Sequence, residues 1–306
     1  MSELRFNELR GEEVAYAIHR QDRTFLPDRE HCPLDPTRPG HPATEIPLER
    51  FEIVVFDNRF PAFEAPHGAA EVVVYTDDHE GSFGGLPLER AESLMWVWRH
   101  RYAELGARED IEYVYIFENR GVEVGVTLHH PHGQIYGYPF LPPVMALEQA
   151  ADARLGGCAV CALIERERAA GKRLLLENDA VIGYVPEAAR WPYEAHLAML
   201  AHRRSLLDCE PGELRSLADA LQRLVRGFDA LFARPMPYVM AVHQAPTGGG
   251  TGVQEGHLHI EFYPPLRTAE KLKFLAGSEQ GAGMFIGDVL PEEAAEHLRE
   301  AIERAG

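Results

Sequence analysis

Two histidines flanking a proline, then a glycine and a glutamine, stand together at His130-Pro131-His132-Gly133-Gln134. In extended chain, residues 130, 132 and 134 share one side, so the pattern predicts two imidazoles and an amide forming one pocket wall. A neutral imidazole is a nucleophile that attacks phosphorus, forming a phosphoramidate that later hands its group to an acceptor. It needs one ring nitrogen held as N–H so that the other stays bare, and the carbonyls of a tight backbone segment are ready acceptors for that N–H. A histidine at the third position would supply a proton. Gln134 instead offers a neutral amide, which stabilises charge on phosphoryl oxygens without a second titrating group, so transfer is favoured over hydrolysis. An incidental polar residue at a strand end is the plainer reading of Gln134.

A second kind of chemistry is written in the cysteines and remaining histidines. Cys158 and Cys161, with His202 and His257, supply two thiolates and two imidazoles, a set suited to tetrahedral zinc with no open position. A reduced cysteine pair packed among histidines is the alternative. Cys32, Asp35, His79 and His130 repeat the arrangement with a carboxylate for one thiolate, which predicts weaker affinity or no metal. Glu148, His243, His259 and Glu261 form a third candidate set, although His259 and Glu261 on one side of a strand would equally make an ion pair. Cys209, Trp96, Trp98 and Trp191 read as packing residues, and the glycine loop from Thr247 to Gly252 lacks the strand-to-helix context of a phosphate-binding loop.

These residues recur in order. Cys32 answers Cys158, VVFDNRFPAF answers LLLENDAVIGYV, His79 answers His202, and His130 to Gln134 answers His257 to Glu261, at similar separations. Strand-like runs lie at 51–56, 71–75 and 111–117, and again in RLLLENDAVIGYV, HLAMLAH, YVMAVHQ and HLHIEFYPP. A helical stretch at 88–105 answers one whose Leu214, Leu217, Leu221, Leu224, Phe228 and Leu231 share a face. An internal duplication explains the whole pattern. The expected fold is α+β: two fused repeats, 1–142 and 143–306, with antiparallel strands forming the pocket and helices packed on one face. The boundary falls near 140–157, where prolines precede a short alanine-rich helix.

The chain has 306 residues, 45% hydrophobic and 25% charged, enough for a large buried core. Its formal charge of -18 opposes binding a nucleic-acid polymer or an anionic membrane, yet a few arginines in a pocket still suffice for a small phosphorylated ligand. No apolar run is long enough to span a bilayer, and the charged start MSELRFNELR is unlike a signal peptide, so the cytoplasm is the expected compartment.

HPHGQIYGYPFLP, preceded by FENRGVEVG, resembles the active-site signature of the galactose-1-phosphate uridylyltransferase family, a branch of the histidine-triad superfamily. VVFDNRFPAF, TDDHEGSF, ARWPYEAHLAML, VHQAP and HLHIEFYPPLRTAEKLKF resemble further blocks of it, so the likeness runs from about residue 20 to 300. The resemblance implies a duplicated histidine-triad fold, a homodimer, and uridylyl transfer from UDP-glucose to galactose 1-phosphate through a uridylyl-histidine. It implies His132 as the nucleophile and Gln134 as the amide on the phosphoryl oxygens. Asn58, Asn119, Gly125 and Thr127 fall at its nucleotide or phosphate contacts, with Arg20 and Arg23 as further phosphate ligands. Lys273, Phe274 and Glu279 fall where its C-terminal segment reaches the sugar phosphate. Arg59 stands where other members have aspartate, and Val126 where some have cysteine, so nucleotide contacts differ in detail there. The Cys32 set matches a zinc site of part of the family, giving one or two zinc ions per chain, and the Glu148 set an iron site with Glu261 in place of histidine. Two other readings stay open: a related transferase or phosphorylase of adenylyl groups, and a non-catalytic zinc-stabilised nucleotide-binding module.

Overall fold

Short β-rich runs separated by turns build one large antiparallel sheet. The computed structural model describes residues 3–28, 31–247 and 256–306, so the glycine loop beyond Thr247 lies outside the described residues. A separate hairpin, β1 (Glu3–Asn7) and β2 (Glu12–Tyr16), opens the chain. The main sheet contains β3 (Val54–Asp57), β4 (Ala69–Val74), β5 (Tyr113–Arg120), β6 (His132–Tyr138), β7 (Leu174–Glu177), β8 (Val181–Tyr184), β9 (Ala195–Met199), β10 (Tyr238–His243) and β11 (His259–Tyr263). Their spatial order is β3-β4-β6-β5-β10-β11-β9-β8-β7. At the centre β5 pairs with β10, with Ile116 opposite Val242. Outward from that pair the two sides repeat one another, which makes the fold two fused, similar repeats sharing a continuous antiparallel sheet.

One expected correspondence shifts. The second copy folds LLLENDAVIGYV into the β7–β8 hairpin, whereas the first forms a single strand, β3, paired directly with β4 in the place β8 takes beside β9. The asparagine turn is common to both copies, with Asn58 accepting the Phe60 N–H at 2.9 Å and Asn178 the Ala180 N–H at 3.2 Å, so the physical reason lies in the prolines that follow β3. Pro61 and Pro66 then offer no N–H for a ladder.

Among the described residues the α-helices are α1 (Leu88–Gly106), α2 (Pro143–Leu155), α3 (Ala159–Ala170), α4 (Pro211–Leu231) and α5 (Pro291–Ala305). Pro211 and a reciprocal Glu210–Glu213 cap start α4. Leu214, Leu217, Leu221, Leu224 and Phe228 are buried against the sheet and α1. At about 1.5–3 kcal/mol for each fully buried large side chain, this stripe is a main anchor of the helical layer. Gly227 lets α5 come close, because a Cβ there would overlap Ile302. The expectation of helices on one face needs correcting: α1, α4 and α5 share a face, but Ile164 of α3 packs on the other, with Ile182, Tyr184 and Ala198. The first repeat leaves that second face open for a cavity. No helix among the described residues is long and apolar enough to cross a membrane.

Candidate active site

Strand β6 divides its residues between core and cavity. Ile135 joins the helix-side core, and a Cβ on Gly137 would strike Ile111 of the same core. His132, Gln134 and Tyr136 therefore face the other way, into a cavity of about 220 Å³. Gln134 sits opposite Val72 on β4 and Phe117 on β5, at the middle of the wall. His130 does not share that wall as expected. The strand begins only at His132, after a proline, and the fully buried His130 ring turns instead toward Asp35.

His132 has the polarity a nucleophile requires. Its Nδ1 lies 2.8 Å from the His130 carbonyl, which accepts only if Nδ1 carries the proton, leaving Nε2 bare. Burial, assisted by the neighbouring His130, lowers its pKa, so the neutral form dominates near neutral pH. Beside it the Gln134 carbonyl oxygen accepts from Asn58 Nδ2 and from the Tyr136 hydroxyl, each at 3.3 Å. With its oxygen engaged, the amide presents N–H groups to an anion.

The rest of the cavity is polarised. Arg20, which donates to the Tyr136 hydroxyl at 3.1 Å, and Arg23 stand together, and burial with the Arg20 charge lowers the Arg23 pKa. Two crowded guanidinium groups are relieved by a polyanion. Pro33, Leu34, Phe56, Val126 and Leu128 make an apolar end, while Asn58, Asn119, Gly125 and Thr127 also line the space. Gly125 adopts φ +82°, a left-handed turn that favours glycine. Arg59 lines the cavity but is paired with Glu45 at 3.0 Å.

Three other clusters converge, each with its ligand atoms within 4.8 Å of one another. In the first, Cys158 caps α3 by accepting the Cys161 N–H at 3.2 Å. His257 donates Nε2–H to the Met199 carbonyl at 2.7 Å, so the Nδ1 lone pair faces Cys158 Sγ at 3.4 Å and Cys161 Sγ at 3.3 Å. Burial lowers His257 to about 4 and raises the Cys161 thiol to about 12. His202 Nδ1 closes the set, 3.4 Å from Cys161 Sγ. Lone pairs converging on one point fit a thiophilic cation. In the second cluster Asp35 Oδ1 lies 2.8 Å from Nδ1 of both His79 and His130, beside buried Cys32. His130 Nε2 is committed to the Thr76 carbonyl at 2.7 Å, which repeats the His257 geometry.

The third cluster has a different character. His243 and His259 are cross-strand partners, Glu148 of α2 meets His243 Nδ1 at 2.6 Å, and Glu261 lies 3.5 Å from His259 Nε2. His259 Nδ1 donates to the His257 carbonyl at 2.7 Å, just as His132 does to His130. Burial opposes its charge, yet Glu261 and Glu148 raise His259 to about 9. Against its own burial, Glu261 is held well below the usual carboxylate range by His196, His243 and His259. Glu261 thus stands where Gln134 stands in the first repeat, and with no cation bound it forms an ion pair with a charged His259.

Comparison with known proteins bears on this arrangement. The sequence matches the galactose-1-phosphate uridyl transferase N-terminal domain over residues 53–142 and the corresponding C-terminal domain over 149–305. It is 36% identical to the galactose-1-phosphate uridylyltransferase of Thermotoga maritima, over 98% of both chains. The chain belongs to the galactose-1-phosphate uridylyltransferase family. The Streptomyces lividans galactose-1-phosphate uridylyltransferase is 38% identical over 99% of this chain and 88% of its own. A solved uridylyltransferase structure superposes with a TM-score of 0.87 at 30% identity, over 99% of both chains. An ADP-glucose phosphorylase from Arabidopsis thaliana with bound ADP-glucose shares the fold, with a TM-score of 0.73 at 19% identity over 98% of this chain and 99% of that one.

Not every residue carried over from the uridylyltransferase family reaches the His132 cavity. Lys273 is buried in ion pairs with Glu279 and Asp288, each at 3.6 Å, and Phe274 is exposed; none of the three residues 273, 274 and 279 lines the cavity of its own chain. Conversely, Tyr136 and Glu45 are cavity residues that the sequence reading passed over. Tyr136 continues the same two-residue period as His132 and Gln134, a signal that was available; Glu45 sits in irregular chain and gave none.

The glycine of the family signature has its own steric reason. A Cβ on Gly133 would overlap the Tyr75 hydroxyl and crowd the Phe117 carbonyl at 3.1 Å. We expect Gly133→Ala to cost about 1–3 kcal/mol of stability and to lower turnover, as read by thermal melts and initial rates. Wild-type values for both would mean that the strand has slack here.

Proposed function

We propose that this chain is a UDP-glucose–hexose-1-phosphate uridylyltransferase working by double displacement through His132. The carrying observation is the His132 ring, neutral, with Nδ1–H fixed on the His130 carbonyl and Nε2 bare beside the Gln134 amide. In the first half reaction Nε2 attacks the α-phosphorus of UDP-glucose; the N–P bond forms, the bond to the bridging oxygen breaks, and glucose 1-phosphate leaves as an anion needing no proton. In the second, a phosphate oxygen of galactose 1-phosphate attacks the same phosphorus, UDP-galactose forms, and the imidazole departs neutral because its Nδ1 proton never left. Gln134, Arg20 and Arg23 hold the phosphoryl oxygens throughout.

Residues 1–142 serve as the catalytic repeat and 143–306 as the repeat carrying the Cys-x-x-Cys set and the sugar-phosphate segment. Lys273, Phe274 and Glu279 act in trans on this reading: a homodimer would bring that segment, with its exposed Phe274, to the cavity of a second copy. Zinc suits the Cys158 set through its two thiolates, and the Cys32 set more weakly; iron is the candidate for Glu148, His243, His259 and Glu261. A cytoplasmic location fits the phosphorylated substrates.

The test supplies UDP-glucose with galactose 1-phosphate and, separately, ADP-glucose with inorganic phosphate. UDP-galactose in the first reaction supports the reading, whereas phosphorolysis in the second with no uridylyl transfer replaces it by an adenylyl enzyme. A further expectation concerns Gln134→His. This change should preserve attack on UDP-glucose better than transfer, raising the ratio of uridylyl hydrolysis to UDP-galactose formation, because the new imidazole can activate water. An unchanged ratio would remove Gln134 from the control of transfer.

A further inference from the structure

The face of β6 that looks away from the cavity rests on a buried acid that no step above uses. Glu118 of β5 is 4% exposed; its Oε2 accepts from the Tyr75 hydroxyl at 3.3 Å and its Oε1 from the Tyr238 hydroxyl at 3.2 Å. Tyr75 directly follows β4, and its hydroxyl lies under Gly133, closely enough that no Cβ fits between them. Its backbone N–H also donates to the Pro131 carbonyl at 3.5 Å. Tyr75 therefore touches the catalytic segment on both sides of His132. Tyr238 belongs to β10 of the second repeat, where it pairs with Arg120, and Arg120 grips Asp229 of α4 at 2.8 and 3.0 Å.

We infer that the Tyr75–Glu118–Tyr238 chain is a positioning device, which sets the height of β6 so that His132 Nε2 and the Gln134 amide address the same phosphorus. The inference rests on the uridylyl-His132 reading. None of the three side chains lines the cavity, so each acts through the strand and not on the substrate. Near-attack geometry is intolerant of displacements of about 1 Å, which can cost a hundredfold in rate. Here the phenol supports Gly133, Glu118 orients the phenol, and Tyr238 ties Glu118 to the other repeat.

The acid also gives the device a pH dependence. The groups facing Glu118 are Tyr75, Tyr238, Arg120 on its own strand, and Asp229 from α4. Burial raises Glu118 to about 7, with Arg120 and the two hydroxyls opposing. When ionised it accepts from both tyrosines. Once protonated it must donate to one of them, and that hydroxyl has to reverse. The clamp is tight above the Glu118 pKa and loosens below it.

The experiment follows the rate of the glucose 1-phosphate burst at saturating UDP-glucose across neutral pH, in the full chain. Wild type should show an inflection near 7, lost in Glu118→Gln, whose amide accepts from one tyrosine and donates to the other as the protonated acid does, so that the folded variant keeps the low-pH burst rate of wild type at every pH. Tyr75→Phe should slow the burst roughly tenfold while the half-saturating UDP-glucose concentration stays within about twofold. A purely structural role would shift melting and leave the inflection in place. Persistence of the inflection in Glu118→Gln overturns the inference, and so does a wild-type burst rate in folded Tyr75→Phe. If Tyr75→Phe does not fold, Glu118→Gln alone decides. Absence of any adduct on wild-type His132 would instead sink the functional reading on which this one stands.

Discussion

Mixing the chain with UDP-glucose and no acceptor should release about one glucose 1-phosphate per catalytic site in a burst and leave a uridylyl group on His132. The expectation follows from the ring geometry: Nδ1 is tied at 2.8 Å to the His130 carbonyl and Nε2 is the free nitrogen in the cavity. Removing the nucleophile in His132→Ala should abolish the burst and reduce turnover on the order of 10⁴-fold or more. The sign of the pH dependence is also determined. Burial lowers the His132 pKa, so the reactive neutral ring survives below the usual imidazole value of about 6.5, and protonation of this group slows attack only at still lower pH. The phosphoramidate is acid-labile, so intact-mass spectra need an alkaline quench. No adduct under that quench, or a peptide map placing it on another residue such as His259, would overturn the mechanism.

What made this site legible was local chemistry that repeats at short spacing. The alternation of His132 and Gln134 is a property of any strand, and the α4 stripe is a property of any amphipathic helix. The paired landmarks exposed the duplication because both halves of the sheet use equivalent strands. Prediction failed where a long-range contact or a break in regularity decides. The wall assignment of His130 assumed that the strand ran through Pro131, but β6 starts after it and Asp35 captures the ring. The β7–β8 hairpin and the lone β3 come from similar sequences, and the prolines after β3 make the difference. Glu45 reaches Arg59 through irregular chain, and the Tyr75–Glu118–Tyr238 chain joins residues from three strand regions, so no window of sequence displays either. The β1–β2 hairpin and α5 went unread for a simpler reason: neither carried a landmark that the duplication repeats.

Cys161→Ser should remove close to one equivalent of zinc per chain and lower the melting temperature on the order of 10 °C, while His132 keeps some reactivity. Its cluster draws on the start of α3, the segment after β9 and the approach to β11, so a cation held there ties three separate parts of the second repeat together. Such a site does not exist in the unfolded chain, and part of the binding energy therefore appears as folding stability. The donor set argues for zinc: His257 is kept neutral, with Nδ1 aimed at both sulfurs, and without a cation the Cys161 thiol is pushed up to about 12. The His132 cavity shares no residue with that cluster, which is why reactivity should outlast the metal. Asp35→Ala is expected to release less metal and to cost less stability, because a carboxylate in place of a thiolate already weakens the set it shares with Cys32, His79 and His130. Elemental analysis of protein prepared without chelator, paired with thermal melts of both variants, decides the matter. Wild type devoid of zinc, or zinc content untouched by Cys161→Ser, would reduce these cysteines and histidines to packed side chains. Equal losses from the two variants would instead show that the Asp35 site binds as tightly as its thiolate counterpart.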